Sequence, residues 1–109
     1  VTSFDTAAFG SEKPLGVAYS AQLNTLFIAD YTDAAVYKVT PGANGVFDGV
    51  APEGDDQVTS FSTASFGVFA LEGIAFNPAN GLLYLCGQSP NNMVAVVTTD
   101  GTLWVVSYP

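Results

Sequence analysis

The chain has 109 residues, with ten acids against two lysines, no arginine and no histidine, for a net charge of −8. That balance repels phosphate backbones and anionic lipid, which excludes nucleic-acid binding. Hydrophobic residues make up 49% of the chain and charged ones 11%, too apolar for a disordered segment, yet no apolar run approaches the ~18 residues that suggest a membrane span.

Residues 1–10 return at residues 58–67, identical at eight of ten positions. The same offset of 57 aligns Gly16, Val17 and Ala18 with Gly73, Ile74 and Ala75, and Leu26, Phe27 and Ile28 with Leu83, Tyr84 and Leu85. Two copies of one unit therefore fill the chain, and a period of this size points to a solenoid, a propeller or an array. The chain starts at Val1 with no leader-like segment, so it is expected to be a piece of something longer.

In chain order, residues 1–9 read as a leading strand, with room for one helical turn at residues 5–9. Short runs rich in β-branched and aromatic residues follow at 15–19 and 25–29, separated by turn-forming residues, and then at 35–40. A long loop spans 41–57, and 58–66 closes the first unit as its last strand. The second unit repeats the pattern. Pro78 and the Asn80–Gly81 pair mark its first turn, 93–98 matches 35–40, and Asp100–Gly101 sits in a tight hairpin before 102–108. This makes nine strands: a leading one, then two sets of four. No helical periodicity runs for 11 residues without a Gly or Pro.

Residues 25–29 and 93–97 are apolar on both faces, where a sheet with one wet face would alternate. Sheets stacked face to face need that pattern, and an ordinary two-layer sandwich is the alternative. The expected fold class is all-β: two four-stranded antiparallel β-propeller blades plus a leading strand. The boundaries are residues 1–10 for a strand completing a neighbouring blade, 14–66 for the first blade and 71–108 for the second.

Phe9–Gly10, the Gly16–Val17–Ala18 strand, the Leu26 to Asp30 strand and Val36 to Val39 together resemble a blade of the NHL-type propellers. Glu72, Gly73, Ile74 and Ala75, with Leu82, Leu83 and Tyr84 after them, are similar to blades of phytase-like and gluconolactonase-like propellers. The resemblance implies a fold more than an activity, because such blades serve enzymes and binding modules alike. It also implies that Glu72, ahead of the innermost strand, occupies a place that can hold a metal-binding acid. The two units differ there: Leu15 stands at the Glu72 position, and Gly87 at the Asp30 position. Asp30 therefore reads as a turn residue accepting backbone N–H bonds.

Propellers close with ~4–8 blades, so two are expected to self-associate or to meet neighbouring blades. Three copies would supply six. Without histidine or arginine, the triad, histidine-zinc and guanidinium-clamp chemistries are excluded. Cys86, the lone cysteine, reads as a small core residue. Oxygen-ligand chemistry remains, meaning calcium. Its candidate ligands are Glu72, Asp48, Asp55 and Asp56, the last three in a glycine-rich loop that does not match EF-hand spacing. The expected function is a non-catalytic binding or scaffold module without cofactor, in a bacterial secreted or envelope protein and with no membrane insertion. The alternative is a calcium-dependent phytase-like or lactonase-like hydrolase.

Overall fold

The computed structural model describes residues 3–89 and 92–107, with side chains through residue 103. Strands β1 (Pro14–Ser20), β2 (Thr25–Asp30), β3 (Ala35–Thr40) and β4 (Gln57–Ser62) form one antiparallel sheet in chain order. Strands β5 (Phe69–Asn77), β6 (Leu82–Ser89), β7 (Met93–Val97) and β8 (Leu103–Ser107) form the second in the same order. Among the described residues, helix is limited to 3-10 turns at Thr6–Phe9 and Ala64–Phe66. None is long and apolar enough to cross a membrane. The all-β expectation holds.

Local chemistry sets the turns. Between β5 and β6, Asn77 Oδ1 accepts from Ala79 N and Asn80 Oδ1 from Leu82 N, while Gly81 takes φ 72°. A side chain at that angle would be strained, so glycine suits it. The β1–β2 and β5–β6 pairs are each bulged at one place, between Pro14 and Gly16 and between Leu71 and Gly73. The residues lifted out are Leu15 and Glu72, which occupy matching places.

Cross-strand partners share a face of an antiparallel sheet, so the registers assign every face. On the first sheet, Gly16, Ala18, Phe27, Ala29, Val36 and Phe61 share one face. On the second, Ile74, Phe76, Leu83, Leu85, Ala95 and Val97 share one, with Leu71 and Met93 beside Gly87 at its end. These two faces meet and make the core. Phe27 stacks on Phe76 with ring centroids 6.0 Å apart and planes at 10°. A methyl group on Gly16 would press on the Glu72 carbonyl and Ile74, so glycine lets β1 and β5 approach closely. At one end, the Gln22 side chain reaches the Pro78 carbonyl at 3.3 Å, joining the two matching turns.

The outer faces differ. Phe4, Phe9 and Phe47 lie against Gly49, Tyr37 and Tyr19, so the amino-terminal segment and the 41–56 loop lie over part of the first sheet's outer face. Ile28 and Val39 are buried there, while Leu15, Val17 and Tyr19 on β1 stay open, Val17 at 63% exposure. The second sheet's outer face carries Ala75, Tyr84, Cys86, Val94 and Val96, and Ala75, Cys86 and Val94 are exposed.

Three expectations need correction. The leading strand expected within residues 1–10 does not form over residues 3–9, and Val1 and Thr2 lie outside the described residues. Asp5 accepts from Ala7 N at 2.9 Å and starts a 3-10 turn that ends at Gly10, φ 102°. The matching residues 58–62 are strand because β3 lies beside them, whereas this segment has no strand to pair with. The strand expected over 58–66 stops at Ser62 for the same local reason, since Ala64–Phe66 turns before Gly67, φ 82°. Cys86 is exposed instead of buried, because nothing among the described residues covers its face of the second sheet.

Candidate functional site

Three of the four candidate metal ligands come together. Carboxylate oxygens of Asp48, Asp55 and Asp56 lie within 4.8 Å of one another in the loop between β3 and β4. Backbone amides hold the group in place. Asp56 Oδ2 accepts from Gly49 N at 2.9 Å and its Oδ1 from Asp48 N at 3.3 Å, and Asp56 is almost wholly buried. Asp48 Oδ1 accepts from Asp55 N at 3.3 Å. The Asp56 amide returns a 2.9 Å bond to the Gly49 carbonyl, so two passes of the loop are tied together.

Asn44 supplies the remaining clamp. Its side-chain amide donates to Asp48 Oδ2 at 2.7 Å and holds the Asp48 carboxyl below its ordinary value; burial opposes this, and the Asp55 N–H adds to the lowering. Its backbone N–H reaches Asp55 Oδ2 at 3.3 Å. Asp55 Oδ1 is closed to water and has no hydrogen-bond partner among the described residues. Gly42 and Gly54 make the packing possible, since a Cβ on Gly42 would overlap Asp55 and one on Gly54 would overlap Asp48. Sequence reasoning places Asn44 in the candidate loop and gives its glycines tight curvature, but it assigns Asn44 no clamping role and leaves out Gly42. The signal was available, as glycines flanking a run of acids allow backbone to approach carboxylate.

Beside this cluster, a cleft of about 410 Å³ opens between the loop and the amino-terminal segment. Asp5, Asp48 and Glu53 line it with Phe4 and Val50. A hard cation wants 6–8 oxygens at 2.3–2.6 Å. The three carboxylates, with the orphaned Asp55 oxygen among them, fit the charge and chemistry of calcium but supply only part of that number.

Glu72 stands apart from the cluster. It is exposed at the β5 bulge, in a shallow cavity of about 390 Å³ lined by Cys86, Gly87, Gln88, Asn92, Met93 and Val94. No second acid lines that cavity among the described residues. Asp30 is committed elsewhere. It is fully buried and accepts from Ser11 Oγ at 2.7 Å, Lys13 N at 3.0 Å and Asp33 N at 2.8 Å. The turn role expected for Asp30 is the one it has.

Compared with known protein families, curated proteins and solved structures, the chain has no match.

Proposed function

We propose that the chain is a non-catalytic scaffold module: two blades of a β-propeller that work by stacking against further blades in a secreted or envelope protein. One observation carries this reading. The outer face of the second sheet, with Ala75, Tyr84, Cys86, Val94 and Val96, is apolar and open. A contiguous open apolar sheet face marks an interaction site more often than a solvated flank. The low content of charged residues and the acidic balance agree with an extracellular setting. The test is the mass in solution by light scattering. A multiple of the single-chain mass is expected, and a cooperatively melting species of one chain's mass would remove the reading.

A second reading rests on the acidic loop. Asp48, Asp55 and Asp56 would hold calcium, with water and main-chain carbonyls completing the shell. In that position the ion would brace the loop that covers the first sheet, a structural role. The hydrolase alternative has less support, because Glu72 and Asp30 lie outside the cluster and the chain has no arginine or histidine to assist. Calcium titration with thermal melting tests the ion, and an unchanged melting temperature at millimolar calcium would dispose of it.

A further inference from the structure

The two sheets stack head to tail, and this leaves two outer faces that match the two buried ones. The second sheet's is open, and the first sheet's is partly covered by the amino-terminal segment and the loop. The buried face of the first sheet has Gly16, Ala18, Phe27, Ala29 and Val36. At the corresponding places the open face of the second sheet has Gly73, Ala75, Tyr84, Cys86 and Val94. The buried face of the second sheet has Ile74, Phe76, Leu83 and Leu85. The outer face of the first has Val17, Tyr19, Leu26 and Ile28 at the same places. Each outer face is thus an apolar copy of a surface that already has a partner sheet within the chain.

We infer that the open face of the second sheet receives the outer β1–β2 face of a second copy of this chain, repeating the interface between its own two sheets. This rests on the scaffold reading above and adds the partner, the faces and their polarity. Three features of the internal interface support it. First, β5 packs on β1 and β2, so the repeated contact would place β1 of the incoming copy over β5. Leu15, Val17 and Tyr19 of β1 are the most exposed part of that outer face, with Phe47 of the loop edge-on to the Tyr19 ring. Second, the Phe27–Phe76 stack translates into Tyr84 of one copy stacked on Tyr19 of the next. Third, Gly16 against Ile74 translates into Gly73 against Val17. The paired positions themselves are uncharged, and Glu72, beside Cys86 and Val94, is the charge that borders the contact on the open face. A contact between unlike faces builds a ring when its rotation closes and a filament when it does not.

Cys86 reports on the geometry. It corresponds to Ala29, which is fully buried by the second sheet, and its Cβ lies 3.6 Å from where a Cβ on Gly73 would stand. The experiment mixes wild-type chain with a Val17→Cys, Cys86→Ala double variant under mild oxidation. A disulfide joining the two species is expected, with little in wild type alone, and the Cys86 thiol is expected to lose reactivity as chain concentration rises. Association in which wild type alone forms Cys86–Cys86 dimers would mean two open faces pairing about a two-fold axis. That outcome overturns the head-to-tail inference and leaves the scaffold reading standing, as does association with Cys86 fully reactive and no crosslink to the double variant. A single-chain mass at every concentration overturns both. Val17 is exposed, so its replacement leaves the fold's own packing intact.

Discussion

Ser11 Oγ donates a 2.7 Å hydrogen bond to Asp30 Oδ2 in a place closed to water, and in the second half of the chain the same two places hold Val68 and Gly87. Val68 fills the space an acid would need, since a Cβ on Gly87 would strike its Cγ1 at 2.7 Å. One half thus joins its entry segment to its second strand by a charged hydrogen-bond network, the other by apolar contact. Asp30→Asn keeps the shape but gives up the charge-assisted bonds and turns an amide donor toward one of the two N–H groups, Lys13 or Asp33, that donate to opposite oxygens of the carboxylate. A loss of about 2 kcal/mol is expected, from ~1.5–3 kcal/mol for hydrogen bonds to charged groups. Urea unfolding measures it, and an unchanged midpoint would show that the network contributes nothing.

The same residue sets an acid limit. Burial pushes the Asp30 carboxyl up, but the bonds from Asp33, Lys13 and Ser11 outweigh it and hold the carboxyl below its ordinary value. A depressed carboxyl stabilises the fold fully above the unfolded-chain value of about 3.9, and that contribution fades as pH falls through the lower folded value. The stability gap between wild type and Asp30→Asn is therefore expected to hold from neutrality to about pH 4 and to narrow below it. Unfolding curves at a series of pH values check this. A gap that widened in acid would contradict the sign.

How much of this was legible beforehand follows from the range of each interaction. Strand positions at 25–29, 35–40 and 93–98 came within a residue or so, because turn residues and β-branched runs act locally. Residues 6–10 and 63–67 make the same turn to a left-handed glycine, but residues 3–5 are not strand as 60–62 are, because a strand needs a partner and β3 lies beside only the second segment. Cys86 misled for a related reason. Its neighbours predict a buried face, and the face is apolar, but what would cover it is not within the described residues. At the acidic loop, composition pointed to Asp48, Asp55 and Asp56, whose meeting depends on short-range amide contacts. Glu72 was joined to them by resemblance alone, and the fold sets it on the other sheet.

The join between the sheets depends on Phe27, which is fully buried, stacked on the partly buried Phe76. Phe27→Ala removes a ring that fills the centre of the interface and leaves a cavity that neighbouring strands cannot close. Such losses run to about 3–5 kcal/mol. A small domain with a marginal reserve is expected to lose its cooperative melt by circular dichroism or calorimetry. Tyr84→Ala, at the matching place on the open face, is expected to leave single-chain stability nearly unchanged and to weaken association. Beyond the exposed hydrogen bond its hydroxyl accepts from Asn80, Tyr84 has little to lose in the single chain. Equal destabilisation by both changes at high dilution would show that its face is already packed within the chain.

Asp55→Asn separates the cation reading from its absence. Without an ion, three carboxylates held within 4.8 Å repel one another, and neutralising one raises the melting temperature in chelator. With calcium, wild type gains what the ion supplies, about 2.7 kcal/mol at ~100 times the dissociation constant. Asp55→Asn is expected to lose that gain while starting from the higher baseline. Melting both proteins in chelator and in millimolar calcium gives the four values needed. A calcium gain that survives in the variant would place the ion elsewhere.

Salt is expected to favour assembly. Each copy has a net charge of −8, so bringing copies together at low ionic strength works against long-range repulsion. The faces proposed to meet, around Val17 and Tyr19 on one copy and Tyr84 and Cys86 on the other, have no ion pair for salt to weaken. Screening shortens from about 30 Å at ~0.01 M to about 10 Å at ~0.1 M, so repulsion between whole copies weakens over this range. Sedimentation at the two ionic strengths is expected to show the mass-average rising with salt at fixed chain concentration. A mass that fell instead would assign the contact to attraction between charged groups, and with so few lysines those could only be Lys13 and Lys38.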